Sequence, residues 1–331
     1  EDAAFANRKG FSKHAPALPL YTESDALDCL KLLRTMPMGH AFEPLRGWTA
    51  RFIRAGHILG ASSLLLEVGG RKILFSGDLG RPDDLLMLPP EKPPAADAVV
   101  VESTYGDRDH PDEDVLAELG PALQRVAARG GTAVLPVFAV GRAQEILHAI
   151  ALLKANGVLP SALPVYLDSP MAIHTTDLYD RYLGEHRLNA AQCREMEHVA
   201  RMTNSVEQSK AIAQQHGPKI ILAASGMATG GRVLHHLAAY LGHHRNMVVL
   251  TGYQAPGTRG ASLGDGAKSI RIHGQDVAVR AEVVQMRSAS AHADASQLMD
   301  WLRALPQPPH RVFVTHGEMG ASDALRHRIE T

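Results

Sequence analysis

Residues 55–78, AGHILGASSLLLEVGGRKILFSGD, decide the fold and the chemistry that we expect of this chain. The pattern predicts strands over 63–68 and 72–75, with His57 before the first of them and Asp78 after the second. Both polar side chains then lie on loops at strand ends, where a rigid sheet commonly holds functional groups. Histidine and aspartate are also ligands that zinc accepts. The alternative is a simple hairpin with a turn aspartate and a surface histidine, and these two residues alone favour it.

The composition limits the classes of protein to which the chain can belong. Its 331 residues are enough for one large domain or two ordinary ones, and 45% of them are hydrophobic. The net charge is −1, so no overall basic field attracts nucleic acid, and any such binding needs a local patch. No apolar run approaches the roughly 20 residues that a membrane span needs, and no signal-peptide core is present. We therefore expect no membrane partner.

The cysteines and histidines narrow the kinds of metal site. Cys29 and Cys193 form no CxxC pair, which argues against a disulfide framework or a thiolate zinc site and fits a reducing cytoplasm. The chain has 18 histidines, so a metal site is expected to use imidazole and carboxylate ligands. The adjacent His235 and His236 are predicted to lie on a solvated helix face rather than in a second metal site.

The chain changes character after residue 106. Before it, a helix capped at Ser24 and Asp25 precedes strand-like runs. After it, strands rich in valine, isoleucine and leucine alternate with amphipathic helices, which predicts a mostly parallel α/β sheet covered on both faces. The glycine-rich strand exits can present backbone N–H groups to phosphate at helix starts. No GxGxxG or Walker A motif supports a nucleotide cofactor. The apolar positions assigned to the first helix are Leu27, Leu30, Leu32 and Leu33.

Five polar side chains occupy the same kind of position, the end of a predicted strand. They are His57, Asp78, Glu102, His292 and His316. A long final strand, AEVVQMRSASAHAD, is predicted to carry the fourth of them at its end. Each residue alone has an ordinary explanation as a cap, an ion-pair partner or a loop residue. Taken together, the five residues have two equal interpretations. They form one shared metal or acid–base site, or each has a separate structural role.

A series of motifs, in order along the chain, resembles the metallo-β-lactamase-fold nucleases of the β-CASP group. That group includes the messenger-RNA 3′-end cleavage endonuclease and its bacterial and archaeal relatives. The resemblance runs from about residue 50 to residue 320. The motifs are AGHILGAS, FSGDLGR, ESTYGDR, PVFAVGRAQEIL, LDSPMA, ASGMATGGRVLHHL, GYQAPGTRG, SAHAD and VTHGE.

The resemblance implies an α/β fold in which a metallo-β-lactamase αββα sandwich, incomplete here, carries an inserted cap. The first part of the sandwich, without its N-terminal strands, would be residues 1–106. The parallel α/β β-CASP cap domain would be residues 107–287. The chain would return to the sandwich over residues 288–331, with its C-terminus incomplete.

The resemblance also implies a role for each of the five polar residues. His57 corresponds to a ligand of one zinc ion, Asp78 to the catalytic carboxylate that bridges two zinc ions, and His316 to a ligand of the second. Glu102 and His292 correspond to an acid–base pair in which the histidine protonates the leaving oxygen. A histidine at position 316 is similar to the RNA-directed members of the group rather than to the DNA-directed ones.

The implied activity is that of a cytoplasmic, zinc-dependent ribonuclease. A hydroxide held between two zinc ions would attack the phosphodiester bonds of single-stranded RNA. Phosphate contacts would come from Arg142 and from the turn of Ser225, Gly226 and Met227 in the cap. The resemblance also admits a homodimer. Two other classes stay open: a non-catalytic RNA-binding scaffold of the same family, and a small-molecule metallo-hydrolase, which would need neither the cap nor the His292 and His316 pair.

One defining motif of the family, HxHxDH, is absent, and residues 1–56 contain only His14 and His40. Each of two zinc ions would keep two protein ligands, fewer than the three or four of ordinary zinc sites. Either the sequence is an N-terminally truncated fragment or the protein has naturally lost the motif. The other motif residues are intact, which favours the fragment. We therefore expect weak or no zinc binding, and no nuclease activity, from these residues alone.

Overall fold

The computed structural model describes residues 2–10, 12–111 and 114–331. None of the helices in these ranges is long and apolar enough to cross a membrane. In chain order the strands are β1 (Ala41–Phe42), β2 (Trp48–Arg54), β3 (Ser62–Val68), β4 (Arg71–Phe75), β5 (Ala98–Val101), β6 (Thr132–Pro136), β7 (Val165–Asp168), β8 (Arg201–Met202), β9 (Lys219–Ala223), β10 (Met247–Leu250), β11 (Ser269–Ile272), β12 (Gln275–Ala278), β13 (Glu282–Gln285) and β14 (Arg311–Val314). The helices are α1 (Asp2–Lys9), α2 (Glu23–Leu30), α3 (Val115–Ala128), α4 (Arg142–Ala155), α5 (Pro170–Arg181), α6 (Ala190–His198), α7 (Val206–Gln214), α8 (Val233–Tyr240), α9 (Arg259–Gly264), α10 (Ala295–Arg303) and α11 (Met319–Glu330).

The first sheet has six strands in the order β1-β2-β3-β4-β5-β14. Strands β1 to β4 pair antiparallel with one another, whereas β5 and β14 continue the sheet parallel to β4. Gly69 and Gly70, both at positive φ, form the two-residue turn between β3 and β4 and set the pairing of Val68 with Arg71. Because β2, β4, β5 and β14 run in the same direction, their carboxyl ends share one edge of the sheet.

One face of the first sheet is the core of this part of the molecule. Ile53, Leu74 and Val99 are buried there. They pack in one cluster with Leu298 and Trp301 of α10, which carry the apolar stripe of that helix. The alternation of buried and outward-facing residues along the strands therefore fixes which face the C-terminal helices cover.

The opposite face carries one apolar residue from each of five neighbouring strands in direct register. The row is Phe52, Leu64, Phe75, Val100 and Phe313. Two of its members, Phe75 and Phe313, are 38% and 51% exposed. A sheet needs a second layer on such a face. Among the described residues this face therefore keeps aromatic side chains at its surface, and the incompleteness of the αββα sandwich stays a prediction.

The second sheet has the order β13-β10-β6-β9-β7-β8, and every neighbouring pair is parallel. All residues of its central strands are buried. Adjacent residues of β6 face opposite cores: Leu135 packs in a cluster with Leu123 and Leu147, whereas Val134 packs with Leu237 of α8. The prediction of a parallel sheet covered on both faces is confirmed.

The helix predicted near residue 24 exists, but its cap was assigned wrongly. Thr22, not Ser24 with Asp25, is the N-cap: its hydroxyl accepts from the N–H of Asp25 at 3.2 Å. The carboxylate of Asp25 accepts from the N–H of Thr22 at 2.7 Å and completes a capping box. The predicted apolar positions are all exposed in this structure, at Leu27, Leu30, Leu32 and Leu33.

The long final strand that was predicted to deliver His292 is also shorter than expected. Strand β13 ends at Gln285, and His292 lies in the loop that follows. That loop is held to the first sheet instead, because the N–H of Ala293 donates to the carbonyl of Leu79 at 2.7 Å and His292 forms a bridge with Gly80. Small residues and serines over 288–291 do not extend the strand, and tertiary contacts fix the loop.

Candidate active site

The five polar residues singled out in the sequence come together at one edge of the first sheet. His57 follows β2, Asp78 follows β4, Glu102 follows β5 and His316 follows β14. These four strands end at the same edge, so their loops are neighbours. His292 reaches the same edge from the loop after β13. The structure therefore favours one shared site over five separate structural roles.

Asp78 lies between two histidines. Its Oδ2 is 3.9 Å from Nε2 of His57, and its Oδ1 is 3.6 Å from Nδ1 of His316. His316 has a φ of 68°, a left-handed conformation that is uncommon outside glycine, and its Nδ1 lies 3.2 Å from the hydroxyl of Thr104. These contacts aim both imidazoles at one carboxylate.

Glu102 and His292 form a buried pair next to this group. Glu102 is 1% exposed, and its Oε1 accepts from the N–H of Leu79 at 2.6 Å. Nδ1 of His292 lies 3.0 and 3.1 Å from the two carboxylate oxygens. The ring of His292 is 4.2 Å from the ring of His57 between centroids. The carboxylate thus orients an imidazole whose other nitrogen, Nε2, is directed away from Glu102.

Burial and hydrogen bonding set the charges of these groups. Burial opposes ionisation of Glu102, but hydrogen bonds from His292 and Thr104 outweigh it and hold the pKa of the carboxyl below its usual value. Burial also opposes protonation of His292, yet the hydrogen bond and charge of Glu102, with the charge of Asp78, raise its pKa. For His57, burial and the nearby His292 lower the pKa to about 4. Burial thus favours the neutral form of His57, the form that binds metal, whereas the pairing with Glu102 favours the protonated form of His292.

The donor atoms fit a metal ion only in part. One ligand atom from each of His57, Asp78 and His292 lies within 4.8 Å of the others, and this is the group of three that the described residues provide. Three nitrogen and oxygen donors suit one zinc ion, which ordinarily takes three or four protein ligands. The resemblance assigns the metal to His57, Asp78 and His316 instead, and that assignment stays a prediction.

The N-terminus of α4 lies against the loop that follows β2. Gly141 precedes the helix at a φ of 80°, and a side chain there would approach Ile58 Cγ2 to 2.8 Å. Arg142, the first helical residue, is 6% exposed and ion-paired with Glu145, and burial lowers its pKa to about 10. Its charge also opposes protonation of His292. Arg142 is therefore a buried charge beside the dyad, and its contact with phosphate stays a prediction.

The turn at residues 225–227 follows β9 and is held by contacts within the second sheet's own loops. Ser225 Oγ accepts from the N–H groups of Thr229 and Gly230 at 3.1 and 3.4 Å. Gly226 lies so close to Phe138 that a side chain there would come within 2.7 Å of the ring. Among the described residues, no hydrogen bond joins this turn to the edge of the first sheet. Its contact with phosphate stays a prediction.

A buried network that the sequence analysis did not single out fixes the chain after that turn. Asp168, fully buried at the end of β7, accepts from Arg232 at 2.6 Å and from Ser209 at 2.5 Å. The oxygen that accepts from Ser209, Oδ2, also pairs with His236 at 2.7 Å, so the predicted solvated position of His236 is wrong, although His235 is exposed. The motifs LDSPMA and GGRVLHH contain the aspartate, the arginine and the histidine of this network. A buried carboxylate requires cationic or hydrogen-bonding partners, so the two motifs could have predicted the pairing.

Comparison with known proteins gives these observations a family. The model of the Beta-Casp domain matches residues 143–263, and that of the Zn-dependent metallo-hydrolase RNA specificity domain matches residues 276–331. Ribonuclease TTHA0252 of Thermus thermophilus is 36% identical over 314 residues, covering 91% of this chain and 69% of the relative. The chain belongs to the β-CASP family of metallo-β-lactamase-fold nucleases. The resemblance that the motifs carried is thereby confirmed.

Other β-CASP relatives extend the comparison. An RNase J-like protein of Methanocaldococcus jannaschii is 32% identical over 333 residues, covering 94% of this chain and 76% of the relative. Cleavage and polyadenylation specificity factor 73 of Drosophila melanogaster is 30% identical over 316 residues, covering 93% of this chain and 45% of the relative. These matches cover most of the chain, and the fold of this β-CASP chain combines the metallo-β-lactamase and cap architectures.

The two family matches cover different parts of the β-CASP chain. The Beta-Casp match, at 143–263, contains most of the second sheet and its helices. The RNA specificity match, at 276–331, contains His292 and His316. Its description names both zinc and RNA, so zinc-dependent chemistry on RNA is a property of the family.

Proposed function

We propose that the protein is a zinc-dependent ribonuclease that hydrolyses phosphodiester bonds of single-stranded RNA. The observation that carries the proposal is the pairing of His292 with the buried Glu102, directly beside His57 and Asp78. An imidazole oriented by a carboxylate next to metal-ligating groups is suited to moving a proton during displacement at phosphorus. The names ribonuclease and RNase J-like protein, carried by two relatives, support RNA as the substrate.

His57, Asp78 and His316 are the proposed zinc ligands. Imidazole nitrogens and a carboxylate are donors that zinc prefers, and Asp78 lies between the two histidines. Donor atoms of His292 lie within 4.8 Å of those of His57 and Asp78, so its imidazole is next to the proposed ligands. A second zinc ion needs ligands that the described residues do not bring to this edge of the sheet. When bound, zinc lowers the pKa of water and stabilises negative charge on phosphate oxygens.

His292 is the proposed general acid, and Glu102 positions it. Nδ1–H of the imidazole donates to the carboxylate, which fixes the orientation of the ring and its tautomer. The proton for the leaving 3′ oxygen then sits at Nε2. The negative charge of Glu102 stabilises the doubly protonated ring that this transfer requires. Because Leu79 N–H also binds the carboxylate, Glu102 keeps its place while the proton moves.

The proposed division into domains follows the two sheets. Residues 1–106 and 288–331 form the metallo-β-lactamase part, since the first sheet takes its strands from both segments. Residues 107–287 form the cap, which contains every strand of the second sheet. Within the cap, we propose that the buried positive charge of Arg142 attracts the phosphate of the RNA. The turn at residues 225–227 is assigned contacts through backbone N–H groups.

We place the activity in the cytoplasm. Both cysteines are free, with Cys29 exposed and Cys193 buried. Free thiols are the normal state of cysteine in a reducing compartment. A cytoplasmic location also agrees with cellular RNA as the proposed substrate.

We expect residues 1–331, loaded with zinc and dialysed, to retain less than about one zinc ion per chain, because three donors are the minimum of an ordinary site. Elemental analysis against protein concentration measures the ratio. A His57→Ala variant is the matched control and should lower the zinc content to background. One or more zinc ions retained per chain would contradict the expectation.

The proposed function is tested by cleavage of a 5′-labelled single-stranded RNA. The complete gene product should cleave it, lose the activity on chelation and recover it when zinc returns, whereas residues 1–331 alone should show no measurable cleavage. RNA retention without turnover by the complete gene product would instead identify a scaffold. Hydrolysis of small thioesters or lactams in place of RNA would identify a small-molecule hydrolase.

A further inference from the structure

A groove of about 750 Å³ opens beside the Glu102–His292 pair. Its walls come from both parts of the molecule. Tyr105 and Arg108 belong to the segment that follows β5, and Tyr253 and Arg287 belong to loops of the second sheet. Glu318 also lines the groove. The groove is therefore the space between the two parts next to the reacting groups, and a strand bound at the site must pass its mouth.

Aromatic rings lead from the reacting groups into this groove. The ring of His292 lies 6.5 Å from that of Tyr105, and Tyr105 lies 6.1 Å from Tyr253 in an edge-to-face arrangement at 79°. Tyr105 is 9% exposed and cannot accept a stacked base. Tyr253 is partly exposed, and its hydroxyl is 3.5 Å from Oε1 of Glu318. Tyr105 thus supports Tyr253 from one side, and Tyr253 is the ring that a ligand can reach.

The charges in the groove balance one another. Arg108 is engaged by Asp107 through two hydrogen bonds of 3.0 Å, so part of its charge is neutralised. Arg287 is exposed, but Asp109 and Glu318 add two negative charges to the same walls. Attraction of phosphates by net positive charge is therefore weak in this groove. The affinity of a nucleic acid strand in this groove must therefore come mainly from contacts with its bases or sugars and not from attraction of its phosphates.

We propose that Tyr253 is a stacking platform for an unpaired base of the RNA next to the scissile phosphate. The inference rests on the proposed function, because it assigns a contact to the substrate of that same site. Every base has a π face, so stacking on tyrosine is tolerant of sequence and requires a single strand. A base-paired strand cannot turn its base onto the ring. Tyr253 is thus a positioning residue that selects unpaired RNA.

The test uses residues 1–331 with short RNA strands that carry one 2-aminopurine, a fluorescent base whose emission falls when it stacks. EDTA is present, so that no cleavage takes place. The wild-type chain should quench the fluorophore at one or two positions of the strand. Tyr253→Leu should remove that quenching and weaken binding about tenfold, the loss expected of one stacked base. Tyr253→Phe should retain both, because it keeps the ring and loses only the hydroxyl.

Matched controls separate stacking from a general effect on the fold. Tyr182→Leu removes an exposed tyrosine, 55% accessible, that does not line the groove, and it should change neither quenching nor affinity. The thermal unfolding of each variant is measured beside it. If the wild-type chain binds RNA and Tyr253→Leu keeps its quenching and affinity, the inference is wrong while the proposed substrate survives. If the wild-type chain binds no RNA by anisotropy, the inference is wrong, whereas the proposed function is decided separately by the cleavage assay on the complete gene product.

Discussion

Replacing His292 with alanine in the zinc-loaded complete gene product should slow RNA cleavage by about 10²–10⁴-fold, the range of general acid–base catalysis. The expectation follows from the pairing of its Nδ1 with the buried Glu102, which leaves Nε2 to protonate the leaving oxygen. The rate is measured in single turnover with enzyme in excess, so that product release does not mask the chemical step. Zinc content is measured on the same samples and should stay at the wild-type value.

The zinc content of that variant decides between two roles. A carboxylate that orients an imidazole is also the common support of a metal-ligating histidine, and donor atoms of His292 lie near those of His57 and Asp78. If His292→Ala loses zinc together with activity, His292 is a ligand and its assignment as general acid is wrong. His310→Ala, an exposed histidine outside the site, is the matched control and should leave both quantities unchanged.

The second large effect is expected at Asp78. Asp78→Ala removes the carboxylate between His57 and His316, and cleavage should fall to background. Zinc affinity should fall more than about 100-fold, because losing a partner that only supports a ligand already costs 10–100-fold. Zinc affinity is measured by competition with a chromogenic chelator, and cleavage with the labelled RNA described above.

Two comparisons make the Asp78 result specific. Asp300→Ala, at an exposed aspartate on α10, is the matched control and should bind zinc and cleave RNA as the wild type does. The circular dichroism of Asp78→Ala should match the wild type, since Asp78 is partly exposed and lies on a loop. An Asp78→Ala protein that keeps wild-type zinc affinity would remove this residue from the metal site.

Much of the site could be predicted because four of its residues follow short apolar strands. Glu102 comes directly after its strand, and His57, Asp78 and His316 lie within three residues of a strand end; strands of one direction end at one edge. Local pattern therefore located these side chains along the chain. The motifs and their order along the chain predicted the family. The structure then gave the distances between the side chains.

The remaining features depend on contacts between distant parts of the chain. His292 reaches the site through a loop held by Leu79 and Gly80, and a local pattern carries no record of such a bridge. The burial of Arg142 follows from the approach of α4 to Ile58, again a tertiary contact. His236 was misjudged because its buried partner, Asp168, lies at the end of another strand. The local propensity of a sequence for helix or strand does not predict contacts between distant residues.

Zinc-dependent cleavage is tested most sharply by a chelation and restoration series on the complete gene product with single-stranded RNA. The protein is stripped of zinc until elemental analysis detects none, assayed, and assayed again after zinc is returned. We expect no cleavage by the stripped protein and full recovery with zinc, with His292→Ala remaining slow throughout. Cleavage that persists after complete removal of zinc would contradict this expectation.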